Sequence, residues 1–241
     1  MPLSLSLRRG AFAILALVGL AGCEVTTVSA PTSTSPSQSG VTLSPMGGAP
    51  QNFARVVRDM EPVMERECQR LTRNLNCDFL IQIDPRRSQP ANAYQTLDKS
   101  GRPLLVFTRK LIQQARNSDE LAFVMGHEGA HHIRGHIARQ QSNAQLGALI
   151  FTGLAAATGS TQATAEEAAR IGAFVGARRY SKDFELEADE LGTILTAKGG
   201  YNPVRGSEFF TRIPDPGDKF LGTHPPNAER IATVRRTAAG L

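Results

Sequence analysis

Tryptophan is absent from this 241-residue chain and aromatic residues make up 6% of it, which leaves no platform for stacking the bases of a single-stranded nucleic acid. The excess of one charge over the other is small too. The formal balance is +5, of which Arg8 and Arg9 contribute two; the remaining +3 is too small to argue for a nucleic-acid partner. No apolar run reaches the 18 or more residues of a spanning helix: Ala11 to Leu20 is too short, and Ala144 to Thr158 is short and interrupted by Gly and Thr. No internal repeat is present. Cysteine is limited to three residues, and two of them, Cys68 and Cys77, lack the close partners that would make more than half a zinc site.

What is present divides the chain into three parts. Arg8 and Arg9 precede the apolar run, which ends in small residues, so residues 1–22 read as a secretory leader. The ending Leu20-Ala21-Gly22-Cys23 resembles a bacterial lipobox. That resemblance implies that Cys23 is lipidated and becomes the first residue of the mature protein, and Glu24 after it leans toward the outer membrane of a Gram-negative envelope; a plain cleaved signal is the alternative. Residues 23–50 continue as a stretch rich in Ser, Thr, Pro and Gly, a disordered tether of roughly 30 Å r.m.s. span. Residues 51–241 are long enough for one domain with its own core. The expected location is the periplasm, tied to the membrane through lipid. In that oxidising compartment Cys68 and Cys77 are expected to form a structural disulfide rather than two free thiols.

Within the domain, Phe53, Val56, Val57, Met60, Met64, Cys68 and Leu71 recur at helical spacing, with Pro62 suggesting a kink or restart. Phe79 to Ile83 reads as a strand, and Ala93 to Leu97 with Pro103 to Thr108 as a hairpin around Asp98 to Gly101. A short helix near Lys110 to Arg116 follows, and Ser118 or Asp119 is a candidate cap for the next one. Ala144 to Thr158 reads as a buried helix, with a membrane-resting or substrate-gating helix as the alternative; another Ala-rich helix covers about 163–178.

The stretch that organises the domain is Leu121 to His136, LAFVMGHEGAHHIRGH, with His127, Glu128 and His131 in the order H-E-x-x-H. Residues four apart share a helix face, so both imidazoles reach one metal ion, while Glu128 is placed to take a proton from a water without ligating the metal. A chance occurrence in a chain of this composition is below roughly one per cent. The small residues Ala122, Gly126, Gly129 and Ala130 would let another element approach closely. A catalytic zinc site needs a third protein ligand. The metzincin spacing fails, because Gly135 and His136 follow His131 by four and five residues; His132 and His136 read as supporting or surface groups. The best candidate lies in Ser181 to Gly192, SKDFELEADELG, where Glu185 would close the site and Asp189, one turn on, would accept the free N–H of a ligand histidine. Alone, Glu185, Glu187, Asp189 and Glu190 would be a solvated helix face.

HEGAHH followed by S-K-D-F-E-L-E-A-D is similar to the paired motifs of M48-type zinc metallopeptidases, H-E-x-x-H and S-R-x-x-E-x-x-A-D, with Lys182 where arginine is common. The resemblance covers roughly 51–241. It implies an α+β, mostly α, zincin-like domain with a small antiparallel sheet beside the H-E-x-x-H helix. One zinc ion would be held by His127, His131 and Glu185, with Glu128 as base and Asp189 in support. Asn92-Ala93-Tyr94 resembles the family's substrate-holding strand. His224-Pro225 with Arg230 resembles its H-P-x4-R segment: His224 could stabilise the transition state or enforce latency, and Arg230 is expected to fix the segment through a buried acid. The implied activity is a metalloendopeptidase acting on unfolded or misassembled cell-envelope proteins. The alternatives are an envelope assembly factor or chaperone with structural zinc, and a cell-wall amidase.

Overall fold

A computed structural model describes residues 51–179, 181–214 and 225–241. The leader, Cys23, the tether and His224 lie outside the described residues. Helix α1 (Gln51–Leu71) buries Phe53, Val56, Val57, Met60, Met64 and Cys68 completely or nearly so, as its spacing requires. It runs through Pro62 without a break, and its last residue, Leu71, is exposed. Cys68 is bonded to Cys77, closing the turn between α1 and the sheet.

Strands β1 (Leu80–Ile83), β2 (Ala93–Leu97) and β3 (Pro103–Phe107) form the sheet seen among the described residues, in the order β1-β3-β2. The hairpin is antiparallel, with Ala93 opposite Phe107 and Leu97 opposite Pro103. The sheet as a whole is mixed rather than antiparallel, because β1 lies parallel to β3, Ile81 opposite Leu105. β2 is an edge. Backbone bonds from Thr108 N to Asn92 O and from Asp98 N to Arg102 O bracket the hairpin. Since bonded and non-bonded pairs alternate in an antiparallel ladder, Tyr94 and Thr96 point their main chain at β3, while Ala93 and Gln95 point theirs outward.

After α2 (Arg109–Gln114) comes the central helix, α3 (Ser118–Ile133), in which nearly every side chain is buried. Its cap is Asn117, just ahead of Ser118 and Asp119, the two candidates read from sequence; the Asn117 side chain accepts from Glu120 N at 3.0 Å. α3 packs on α6 (Ser181–Lys198) backbone to backbone. A Cβ on Gly126 would lie 2.9 Å from Gly192 O, and one on Gly192 would lie 2.9 Å from His127 N. Only glycine at both positions permits this approach, and it sets His127 against the turns of α6 that carry Glu185 and Asp189. α6 ends at Lys198; Asn202 then caps α7 (Pro203–Gly206), a 3-10 helix spans Ser207–Arg212, and α8 (Asn227–Ala238) closes the fold. The N-terminal turn of α3 is tied to this end of the chain by buried Glu120, which pairs with Arg212 at 2.5 Å, and by Asp119, which pairs with Arg205.

α4 (His136–Ala157) and α5 (Gln162–Arg179) form a helical hairpin whose backbones meet at Gly147 and Gly172. The expected burial of the 144–158 helix does not occur. Its partner covers one face only, and Leu146, Leu149, Ile150 and Leu154 on the other are 58–71% exposed. No helix among the described residues is long and apolar enough to cross a membrane.

Candidate metal centre

His127 and His131 lie one turn apart on α3, and their Nε2 atoms stand 3.0 Å from each other. Glu185 of α6 brings Oε2 to 3.5 Å from the first and Oε1 to 3.4 Å from the second. The three ligand atoms all lie within 4.8 Å of one another. Tetrahedral ligands at about 2.0–2.2 Å from zinc are themselves roughly 3.3–3.5 Å apart, so two imidazoles and a carboxylate in this arrangement fit that ion. The electrostatics favour a cation as well. Burial and the neighbouring Arg230 oppose charge on His127, yet the Asp189 and Glu185 carboxylates outweigh them and raise its pKa to about 9.

Each histidine is also held from behind. Nδ1 of His127 lies 2.9 Å from Asp189 Oδ1. Asp189 is fully buried and receives Nε and Nη2 of Arg230, each at 2.7 Å; this supplies the buried acid expected for Arg230. The guanidinium lies 3.9 Å over the ring of Phe210, and its Nη2 comes within 3.5 Å of Glu185 Oε2. His131 turns its Nδ1 to Nδ1 of His136, 2.8 Å away. His136 in turn reaches Glu187, which Arg139 grips with two bonds of 2.6 and 3.0 Å. Burial foremost, then His131, lowers the His136 pKa to about 4 and keeps the ring neutral; the Arg139 bonds hold Glu187 at about 2 despite its partial burial. His132 points elsewhere, donating to Asn76 O at 2.7 Å beside Phe79.

The Arg139–Glu187–His136 link was not legible in the sequence. On one straight helix His136 would sit about 140° round from His131. The chain instead breaks at Gly135, whose φ of +65° is open to glycine, and α4 restarts so that His136 swings back to the site.

Half-buried Glu128 lines a cleft of about 560 Å³ together with His127, His131, Glu185 and residues Ala91 to Gln95. Asn92, Ala93 and Tyr94 thus line the same cleft as the histidines, as do Phe209, Phe210 and Ile213.

The sequence profile of peptidase family M48 matches residues 53–238, a region holding the ligand set, the base candidate and the cleft. The chain belongs to peptidase family M48. Among its relatives, a Vibrio cholerae protein provisionally named beta-barrel assembly-enhancing protease is 33% identical over 141 residues, which is 53% of this chain and 29% of that one. The beta-barrel assembly-enhancing protease of Escherichia coli is 30% identical over 147 residues, 56% of this chain and 30% of that one. The mitochondrial metalloendopeptidase OMA1 of Homo sapiens is 26% identical over 151 residues, 55% and 28% of the two chains. The matched segment therefore spans about three tenths of the length of these relatives.

Proposed function

We propose that this M48 member is a zinc-dependent endopeptidase that cleaves unfolded or misassembled proteins of the cell envelope. The observation that carries the reading is the convergence of His127, His131 and Glu185 in a cleft that also holds Glu128 and β2, an edge strand among the described residues. A zinc ion held by those three residues would supply Lewis-acid polarisation of the scissile carbonyl and a water of lowered pKa. Glu128, in the same cleft, would act as the base that takes a proton from the attacking water and returns it to the leaving amine. Asp189, fixed by Arg230, would accept the Nδ1 proton of His127 and so leave its Nε2 lone pair free to hold the ion. The outward N–H and C=O groups of Ala93 and Gln95 hold the substrate main chain extended, a mode of recognition that reads no side chain and suits unfolded proteins.

Location follows from the leader and from Cys23: lipidation there would tether the domain to the periplasmic face of the outer membrane. The relatives named as beta-barrel assembly-enhancing proteases support substrates among envelope proteins in the course of assembly. The test is digestion of an unfolded protein such as casein by residues 24–241 loaded with zinc. Glu128→Gln should lower the rate about 100- to 10,000-fold while leaving one zinc bound, and chelation should abolish it. Stoichiometric zinc without cleavage would favour the assembly-factor reading instead, with His224→Ala the next variant to assay for released latency.

A further inference from the structure

We propose that His136 is a positioning residue that transmits the charge of Glu187 to His131 and fixes which nitrogen of His131 faces the metal. The inference rests on the metal-site reading above. His131 directs Nε2 toward His127 and Glu185, so as a ligand it needs its lone pair there and its proton on Nδ1. The atom that receives that proton is Nδ1 of His136, at 2.8 Å. A neutral imidazole that accepts at Nδ1 must carry its own proton on Nε2, and Nε2 of His136 faces Glu187 Oε2 at 3.2 Å. The direction of donation is therefore fixed along the whole chain, from His131 to His136 to Glu187.

The far end is anchored rather than free. Glu187 is clamped through both oxygens by Arg139, a fork that leaves the carboxylate little freedom to turn. The ring of His136 stacks on Phe184, planes 8° apart and centroids 4.6 Å apart, and is 4% exposed, while Arg139 lies 4.3 Å over the Phe184 ring. Packing thus holds the imidazole in one plane. The two ligand histidines are supported by parallel means: His127 by a carboxylate in direct contact, His131 by a carboxylate one imidazole away. Both carboxylates, Asp189 and Glu187, come from α6, and both are gripped by an arginine from another helix. The same helix that supplies the ligand Glu185 therefore sets the orientation of the other two ligands.

Two substitutions separate this role from mere packing. His136→Phe keeps a flat ring against Phe184 and removes the acceptor; His136→Asn loses the ring and places Oδ1 near where Nδ1 stood. Zinc affinity is read by competition with a chromophoric chelator, and the ligand field by the visible spectrum of the cobalt(II)-substituted protein, with circular dichroism confirming that each variant is folded. The expected result is a zinc Kd raised about 10- to 100-fold in His136→Phe together with shifted cobalt bands, and recovery of most of the affinity in His136→Asn. Glu187→Gln should weaken binding by less than His136→Phe. Equal affinity of His136→Phe and the parent protein would overturn the relay while leaving the metal site intact, and so would equal weakening by Phe and Asn. A parent protein that takes up no zinc would overturn the metal reading itself.

Discussion

Arg230 and Asp189 meet side on, with two hydrogen bonds of 2.7 Å running from Nε and Nη2 of the guanidinium to the two carboxylate oxygens. Both side chains are buried, so neither charge has water to fall back on. Arg230→Ala should destabilise the domain by about 3–5 kcal/mol, because it leaves Asp189 buried without its partner. Arg230→Lys should recover only part of this, since an ammonium is one point charge and not a planar fork. The midpoint of urea unfolding checks both.

The outward-facing main chain of β2 gives a test of the proposed substrate binding that leaves the proposed base and ligands alone. Gln95→Pro removes an N–H that the hairpin does not use, on an edge strand where proline is tolerated. It should raise KM for an unfolded substrate severalfold and leave the thermal midpoint nearly unchanged. Tyr94→Pro removes a ladder donor instead and should lower the midpoint. If Gln95→Pro cleaves at the parent KM, the strand is structural only.

Glu67 links α1 to the end of α6. Burial by itself would raise its pKa, but bonds from Arg70 at 2.7 and 2.9 Å and from Lys198 at 2.5 Å more than offset that and leave the carboxyl below its ordinary range. A depressed folded-state pKa means stability that is fully present above the unfolded value, near about 4.3, and is lost as pH falls through the folded one. Lys198→Met should therefore flatten part of the acid limb of the stability curve below about pH 4 and change its slope little near neutrality. Urea midpoints between pH 2.5 and 7 make the comparison.

The Cys68–Cys77 bond closes a loop of sequence separation nine. Chain-entropy arguments put its contribution on the order of 2–3 kcal/mol. Cys68→Ser with Cys77→Ser should cost that much in urea unfolding, and the parent protein should approach the double variant when reductant is added.

The helical repeat made the H-E-x-x-H pair legible, because two histidines four apart have little freedom but to share a face. Glu185 was legible only through its pairing with the upstream H-E-x-x-H and the match to a second motif, since its acidic surroundings alone read as a solvated face. Other features depended on backbone events that side-chain patterns do not encode. His136 joined the site through a left-handed glycine at 135. The parallel pairing of β1 with β3 could not be read from Phe79 to Ile83, since an apolar run does not specify the direction of its neighbour. The exposure of Leu146, Leu149, Ile150 and Leu154 was hidden for a similar reason: a run that is apolar on every side gives no sign of which side its partner will leave bare.

The crossing at Gly126 and Gly192 also sets a schedule. His127 and His131 leave the ribosome more than about fifty residues ahead of Glu185, and Arg230 follows later still. No stretch of the chain owns the site by itself, so the donors meet only when α6 has slid into place against α3 and α8 has closed behind it. Under the proposed function, hydrolytic competence arrives with the finished fold, and a nascent copy has little means to cut its unfolded neighbours or itself. Zinc uptake during refolding should keep pace with the slowest structural phase and never run ahead of it.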